Sequence, residues 1–185
     1  MLLVGFALRA EDPALSLQGS GTETDPYLIG TAVDLLELAN KCNPATVATA
    51  PHYKGVYFKM TADIDMAGVS DFYGIATAPA AAASNAGYNF AGIFDGDGHR
   101  VRNLTVDGIK FDGNGKALVT FPANGSRKWV GLFGRLSEGA VVRNVIIDAS
   151  CSFTGATYVG GIAGEVAAGA TVENCTNYGS ATAYG

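Results

Sequence analysis

The stretch Gly131–Val145 reads GLFGRLSEGAVVRNV, and Gly161–Cys175 reads GIAGEVAAGATVENC. The two superimpose without gaps at an offset of 30 residues, with Gly134 on Gly164, Gly139 on Gly169, Val142 on Val172 and Asn144 on Asn174. A related phrase, GIFDGDGHRVRNL at Gly92–Leu104, is two residues shorter and matches from Gly98 through Val101 to Asn103. A fixed period of this size marks a solenoid, in which each repeat is one structural turn stacked on the next.

Within each copy two apolar positions straddle an Asn: Val101/Asn103/Leu104, Val142/Asn144/Val145 and Val172/Asn174/Cys175. Period-2 alternation breaks at the Asn, which implies a bend between two short strands, and Asn tolerates the left-handed backbone that a bend requires. Asn103, Asn144 and Asn174 are therefore expected to stack as a hydrogen-bonded ladder, their amides bonding one another and the turn backbone. Gly131, Gly134, Gly139, Gly161, Gly164 and Gly169 are expected to mark the other corners. Ile93, Leu132 and Ile162 read as one buried apolar column.

Outward from the repeats, Gly55–Ala67 (GVYFKMTADIDMA) alternates as a strand. Thr31 starts a helix over about 31–42, with Asp34 in capping-box position and Pro44 beyond its end. A helix ahead of a solenoid would cover the open edge of the first turn. Gly68–Asn89, rich in Ala, Gly and Ser, reads as a long excursion. A second insertion, about 108–128, carries a DGNG turn at Asp112–Gly115 and reads as a protruding hairpin. Repeats fall at 90–107, 129–149 and 159–179 of a domain over 19–185. Residues 1–18 read either as a leader remnant, with Ala10 near a cleavage point, or as a first strand. The chain halts where another repeat should begin, so the repeats are expected to continue past Gly185.

The chain has 185 residues, 16% charged, with 25 Gly and a formal net charge of −5. That composition suits many short strands and tight turns. The acidic balance opposes a nucleic-acid footprint, and no apolar run reaches the ~20 residues of a membrane span. Three Cys, at 42, 151 and 175, have no CxxC spacing. Cys175 reads as a small core residue rather than half of a disulfide.

For chemistry the densest cluster is Asp95-Gly-Asp97-Gly-His99, with Asp63, Asp65, Arg100 and Arg102 as further candidates. Asp95, Asp97, Asp63 and Asp65 are weak calcium candidates, and two of them could form an acid/base pair. The competing reading is a tight turn whose Asp caps backbone and whose Gly takes positive φ. The later copies do not repeat the acids, which favours the turn; no catalytic residue and no cofactor is assigned. His52 and His99 lack ExxH or HxH company, so no zinc site is expected. Tyr53, Tyr57, Phe72, Tyr73, Tyr88, Phe90, Trp129, Tyr158 and Tyr178 could supply exposed rings for stacking on sugars.

VGLFGRLSEGAVVRNV at Val130–Val145 and GGIAGEVAAGATVENCTNYG at Gly160–Gly179 resemble the GLUG-motif proteins. FKMTADIDMAG (58–68), FAGIFDGDGHRVRNL (90–104) and GSGTETDPYLIGTAVDLLELA (19–39) resemble segments that lead into such repeats. The resemblance implies a right-handed parallel β-helix, all-β apart from the capping helix, in a bacterial surface or secreted protein. It implies an adhesin-like or scaffold role with glycans, host proteins or further repeats and domains of the same polypeptide as partners. The alternative is a polysaccharide-processing, lyase- or glycosidase-like β-helix enzyme.

Overall fold

The computed structural model describes residues 14–45, 50, 52–78, 87–119 and 126–185. The expected leader remnant at 1–10 lies outside them, as does the 79–86 part of the first excursion. The described chain is almost entirely β. In chain order it forms β1 (Tyr27–Ile29), α1 (Ala32–Cys42), β2 (Tyr57–Met60), β3 (Ile64–Asp65), β4 (Ile93–Asp95), β5 (Arg100–Arg102) and β6 (Thr105–Asp107). There follow β7 (Trp129–Val130), β8 (Phe133–Leu136), β9 (Val141–Arg143), β10 (Ile146–Ile147), β11 (Ser152–Gly155) and β12 (Tyr158–Val159). The last four are β13 (Ala163–Val166), β14 (Thr171–Glu173), β15 (Thr176–Asn177) and β16 (Ser180–Ala183).

Every pairing between these strands is parallel. The first sheet runs β1-β2-β4-β9-β14, the second β3-β5-β10-β15 and the third β6-β11-β16. A fourth joins β7 to β12 and a fifth β8 to β13. The chain visits these sheets in a constant order. From β4 it passes through β5, β6, β7 and β8 and re-enters the first sheet at β9. From β9 it passes through β10 to β13 and re-enters at β14. Strands two to four residues long cannot alternate over any length. What holds each in place is one inward side chain stacked on its counterpart in the next pass.

In the first sheet that column is Tyr27, Phe58, Phe94, Val142 and Val172. In the third it is Val106, Phe153 and Ala181. An aromatic line threads the core, from Tyr27 to Phe58 (ring centroids 5.7 Å), Phe58 to Phe90 (5.8 Å) and Phe90 to Phe133 (5.0 Å). Each such pair adds about 0.5–1.5 kcal/mol beyond burial alone.

The excursion at 68–89 is built into this pattern. Ile75 bridges to Phe133 and Phe90 to Leu136, both parallel. The fifth-sheet position of that pass is thus split into two single bridges.

The helix forms as expected. Thr31 at φ −136° accepts from the Asp34 N–H, while the Asp34 carboxylate accepts from the Thr31 N–H, closing a capping box. Its placement needs correction, because it is not an N-terminal cap. β1 precedes it and holds the edge of the first sheet, with Ile29 opposite Met60. Leu35, Leu38, Ala39 and Cys42 turn inward to the common core, so the helix stands in for strands within a pass.

Hydrogen-bond register also corrects the alignment of the first repeat. Ile93 pairs with Tyr57 and Val141 in the first sheet, whereas Leu132 leads into the fifth. Ile93 therefore does not share a column with Leu132 and Ile162. Asn144 and Asn174 stand at the corner between the first and second sheets, and Asn103 at the corner between the second and third. At the corner that Asn144 occupies, the earlier pass has Gly96, whose N–H donates to the Arg143 carbonyl at 2.8 Å. The V-x-N phrase matched because two different corners need the same local backbone.

Candidate functional site

At all three Asn positions the backbone is left-handed, with φ of 55°, 56° and 52° at Asn103, Asn144 and Asn174. Their amides do not bond one another. Asn103 Nδ2 donates to Asp65 Oδ1 at 2.8 Å, and Asn144 Nδ2 to Asp95 Oδ1 at 2.9 Å. In each case the acceptor is the last residue of a strand in the preceding pass, and the Asn lies one residue beyond that strand's register partner. A carboxylate accepting from an amide makes a stronger bond than two amides do. The equivalent acceptor position beneath Asn174 is Arg143, which can only donate.

Gly139 and Gly169 take φ of 88° and 80°. Gly131, Gly134, Gly161 and Gly164 are not in that region. Close packing excludes a side chain there instead: a Cβ on Gly131 would lie 2.8 Å from the Phe133 carbonyl oxygen, and one on Gly164 2.7 Å from the Val130 nitrogen.

The acids of the sequence cluster do not converge on one point. Asp63 accepts from the Arg100 N–H (2.9 Å) and faces His99 Nδ1 at 3.5 Å. Asp65 accepts from Asn103 and from the Ala67 N–H. Asp95 takes Arg143 Nε at 2.8 Å, the Asn144 amide and the Asp97 N–H. Asp97, at φ 50°, reaches Lys59 Nζ at 3.0 Å, and Arg100 reaches Asp148 at 3.6 Å. At Asp63, Asp65 and Asp95 these partners hold the carboxyl below its ordinary range. The Arg100 N–H does so at Asp63 and the Asn103 amide at Asp65. At Asp95 burial pushes the other way but is outweighed by Asn144, the Asp97 N–H and Arg143. Among the described residues no group of three or more His, Cys, Asp or Glu side chains is arranged to hold a metal ion. The three thiols are unbridged, with Cys42 and Cys151 buried and Cys175 half-buried.

A concave site does exist, between the two places where the repeat is interrupted. It is a cleft of about 310 Å³ lined by Val69, Ser70, Phe72, Tyr73, Thr105, Asp107 and Lys110. One wall is the start of the first excursion. The residue that ends α1, Asn43, clamps that segment: its Nδ2 donates to the Gly74 carbonyl and its Oδ1 accepts from the Thr77 N–H, both at 2.7 Å. The Ile75 bridge to Phe133 fixes the same segment from the other side. Phe72 is buried beneath the wall, while Tyr73 stays 37% exposed with the Arg127 guanidinium 4.1 Å from its ring centroid. Arg127 is itself buried and donates to the Ala78 carbonyl, so it pins the ring to the 74–78 backbone.

The opposite wall is β6 with the first residues of the second insertion. Thr154 Oγ1 donates to Asp107 Oδ1 at 2.9 Å, and the Ile109 N–H donates to the same oxygen. The Lys110 N–H donates to Ser126 Oγ. Beyond Lys110 the insertion turns back, with Phe111 bridged antiparallel to Ala117 and Asp112 Oδ1 accepting from the Asn114 and Lys116 N–H groups.

Of the cleft residues, the sequence pointed only to Phe72 and Tyr73, as members of a long aromatic set. Ser70, Thr105, Asp107 and Lys110 belong to no motif. Their signal was positional, since both walls start where the periodicity fails. Other aromatics of that set are core: Tyr53, Tyr88 and Phe90 are buried. Trp129 and Tyr158 form a second surface feature, stacked at 5.8 Å and 10° with Lys128 Nζ 4.7 and 5.2 Å from their centroids.

No family model matches the chain. Over 167 residues, or 89% of its length, it is 31% identical to halomucin of Haloquadratum walsbyi. Over 134 residues, or 72%, it is 28% identical to a candidate Gly-rich membrane protein of Evansella cellulosilytica. The chain spans 2% and 12% of the lengths of these two relatives. Among solved structures, a candidate immunoglobulin A1 protease of Bacteroides ovatus matches 89% of this chain and 60% of its own, at 19% identity and a TM-score of 0.39. A likeness that loose carries no structural argument. No helix of the described residues is long and apolar enough to cross a membrane.

Proposed function

We propose that this chain is a right-handed parallel β-helix of the GLUG-motif type, serving as a non-catalytic adhesin-like or scaffold module of a secreted or cell-surface protein. The constant order of sheet visits and the wholly parallel ladders support the β-helix reading. The resemblance to halomucin and to a Gly-rich membrane protein, each far longer than this chain, supports a module within a large envelope-associated polypeptide.

The observation that carries the functional reading is the contrast between the acids and the cleft. Asp63, Asp65, Asp95 and Asp97 are all taken up in bonds between or within passes. The cleft has one carboxylate, one ammonium, two aliphatic hydroxyls and the half-exposed phenol ring of Tyr73. That is a set for holding a polyhydroxylated ligand by stacking and hydrogen bonds. Two-carboxylate hydrolysis of a glycosidic bond needs a second acid beside the first, and Asp107 is the one carboxylate in the cleft lining.

Titration of the chain with neutral and uronate-containing polysaccharides, followed by NMR or calorimetry, tests this. Saturable binding that Tyr73→Ala weakens about tenfold or more is the expected result. Polysaccharide cleavage lost in Asp107→Asn or Asp97→Asn would overturn the non-catalytic reading and favour the β-helix enzyme.

A further inference from the structure

In the second sheet β5 pairs with β3 of the preceding pass, but β6, which follows it, pairs with β11 alone. The preceding pass runs here as residues 69–73, at the start of the excursion, and forms no ladder with β6. The Ser152 N–H donates to the Leu104 carbonyl and the Gly108 N–H to the Thr154 carbonyl, both at 2.8 Å. Alternate residues of a parallel strand bond the same neighbour, so the backbone of Thr105 and Asp107 faces away from β11. Both residues line the cleft, and their N–H and C=O groups have no strand partner there.

Charge around the cleft is unevenly satisfied. Asp107, its one carboxylate, takes the Thr154 hydroxyl and the Ile109 N–H at Oδ1. Lys110 is exposed and belongs to no ion pair among the described residues. Arg127 comes from the segment alongside: its N–H donates to the Gly108 carbonyl, and the Lys110 N–H donates to Ser126 Oγ. The Arg127 guanidinium is buried against the Tyr73 ring, bonds the Ala78 carbonyl and meets no carboxylate among the described residues. Burial pushes its pKa below the ordinary value. The neighbouring stretches 79–86 and 120–125 contain no Asp or Glu. A buried cation without a counterion is costly, and an anion arriving at the cleft offsets that cost.

We infer that the cleft takes an acidic glycan, in which the anionic group of one sugar, a carboxylate or a sulfate ester, pairs with Lys110. This rests on the reading of the cleft as a glycan site. Arg127 adds positive potential from behind the Tyr73 ring. Sugar hydroxyls meet the open N–H and C=O groups of Thr105 and Asp107 and the Ser70 hydroxyl. The sugar ring lies on the face of Tyr73 that Arg127 leaves free. A neutral sugar makes the hydroxyl and ring contacts but not the ion pair, so charge sets the specificity.

The probes are uronate oligosaccharides, their carboxyl-reduced neutral counterparts and sulfated forms of those counterparts, each titrated into the full chain by calorimetry. An acidic probe should bind about tenfold or more tighter than its neutral counterpart, the worth of one hydrogen bond to a charged group. Preference for the uronate identifies a carboxylate as the anion, and preference for the sulfated form a sulfate ester. Lys110→Gln, at an exposed position, should remove most of that preference, and Lys110→Arg should keep it. Raising the salt from about 0.05 M to about 0.5 M should weaken the acidic probe far more than the neutral one. A native chain that binds acidic and neutral probes alike overturns this inference and leaves the glycan reading standing, as does a preference that Lys110→Gln does not move. Saturable binding of none of the probes overturns both.

Discussion

The passes that carry residues 131–145 and 161–175 share a sequence pattern position by position over those stretches, yet they differ physically. Val142, Leu136 and Ile147 are fully enclosed. Val172 and Val166 are 37% and 49% exposed, and Asn177 stands where Ile147 stood. A repeat does not bury itself. Its own residues set the corners and the inward direction, while the neighbour on each side supplies the enclosure. The middle pass has two neighbours and the last has one.

This contrast can be broken most sharply in the aromatic line. Phe133 contacts both Phe90 and Phe94 at ring distances of 5.0 and 5.3 Å, so Phe133→Ala should cost about 3–5 kcal/mol in denaturant unfolding. The register-matched residue of the last pass is already Ala163, so that pass has no equivalent side chain to lose. A loss under ~1 kcal/mol would mean that the line is not a continuous core. Next, Val142→Ala should cost about 2 kcal/mol and Val172→Ala less than ~1 kcal/mol. Equal losses would show that the last pass is enclosed in solution and would erase the contrast.

The Asn pair separates backbone strain from bonding. Asn144→Ala loses the bond to Asp95 and places Ala at φ 56°, whereas Asn174→Ala meets only the second of these. The first should exceed the second by about 1 kcal/mol. Asn144→Gly, which relieves φ but not the lost bond, should fall between native and Asn144→Ala. Identical melting midpoints for the two Ala variants would remove the amide–carboxylate bond from the account.

The smallest effect is on pH dependence. The Asp95 pKa is lowered in the fold from its ordinary 3.8 by Asn144, the Asp97 N–H and Arg143, against the opposing effect of burial. A carboxyl lowered on folding contributes stability that is full above its unfolded pKa and is lost as pH falls through the folded one. Native stability should therefore decline below about pH 4, more steeply than in Asp95→Asn, when chemical unfolding is compared across that range. Parallel acid limbs for the two proteins would show that Asp95 has no such linkage.

The last two copies were legible because the register offset stays at 30 residues from Phe133/Ala163 through Val142/Val172 to Ile146/Thr176, so sequence offset and hydrogen-bond register coincide there. The first copy was not. Its Asn103 turns a later corner, and the first-to-second corner of its pass is made by Asp95-Gly-Asp-Gly instead. Local conformation wrote the same letters at two places, and only the ladder tells them apart. The helix was legible from Thr31 and Asp34, but its station was not, since nothing local reveals that Tyr27–Ile29 already holds the sheet edge. The cleft was the least legible part. Asn43 reaches 31 and 34 residues along the chain to clamp Gly74 and Thr77, and side chains brought together over such separations leave no spacing to read.

The parallel register also governs how the molecule comes apart in time. Each pass meets the next across a sequence separation of thirty residues between Val142 and Val172 and forty-eight between Phe94 and Val142. Loops that long close slowly and at similar entropic cost. The order of assembly then follows what each closure encloses, with the Phe-lined passes first and β14 to β16 last. Native-state amide exchange should show this as a gradient, opening from the last strands inward, with the amides of β4 and β9 exchanging only on global unfolding.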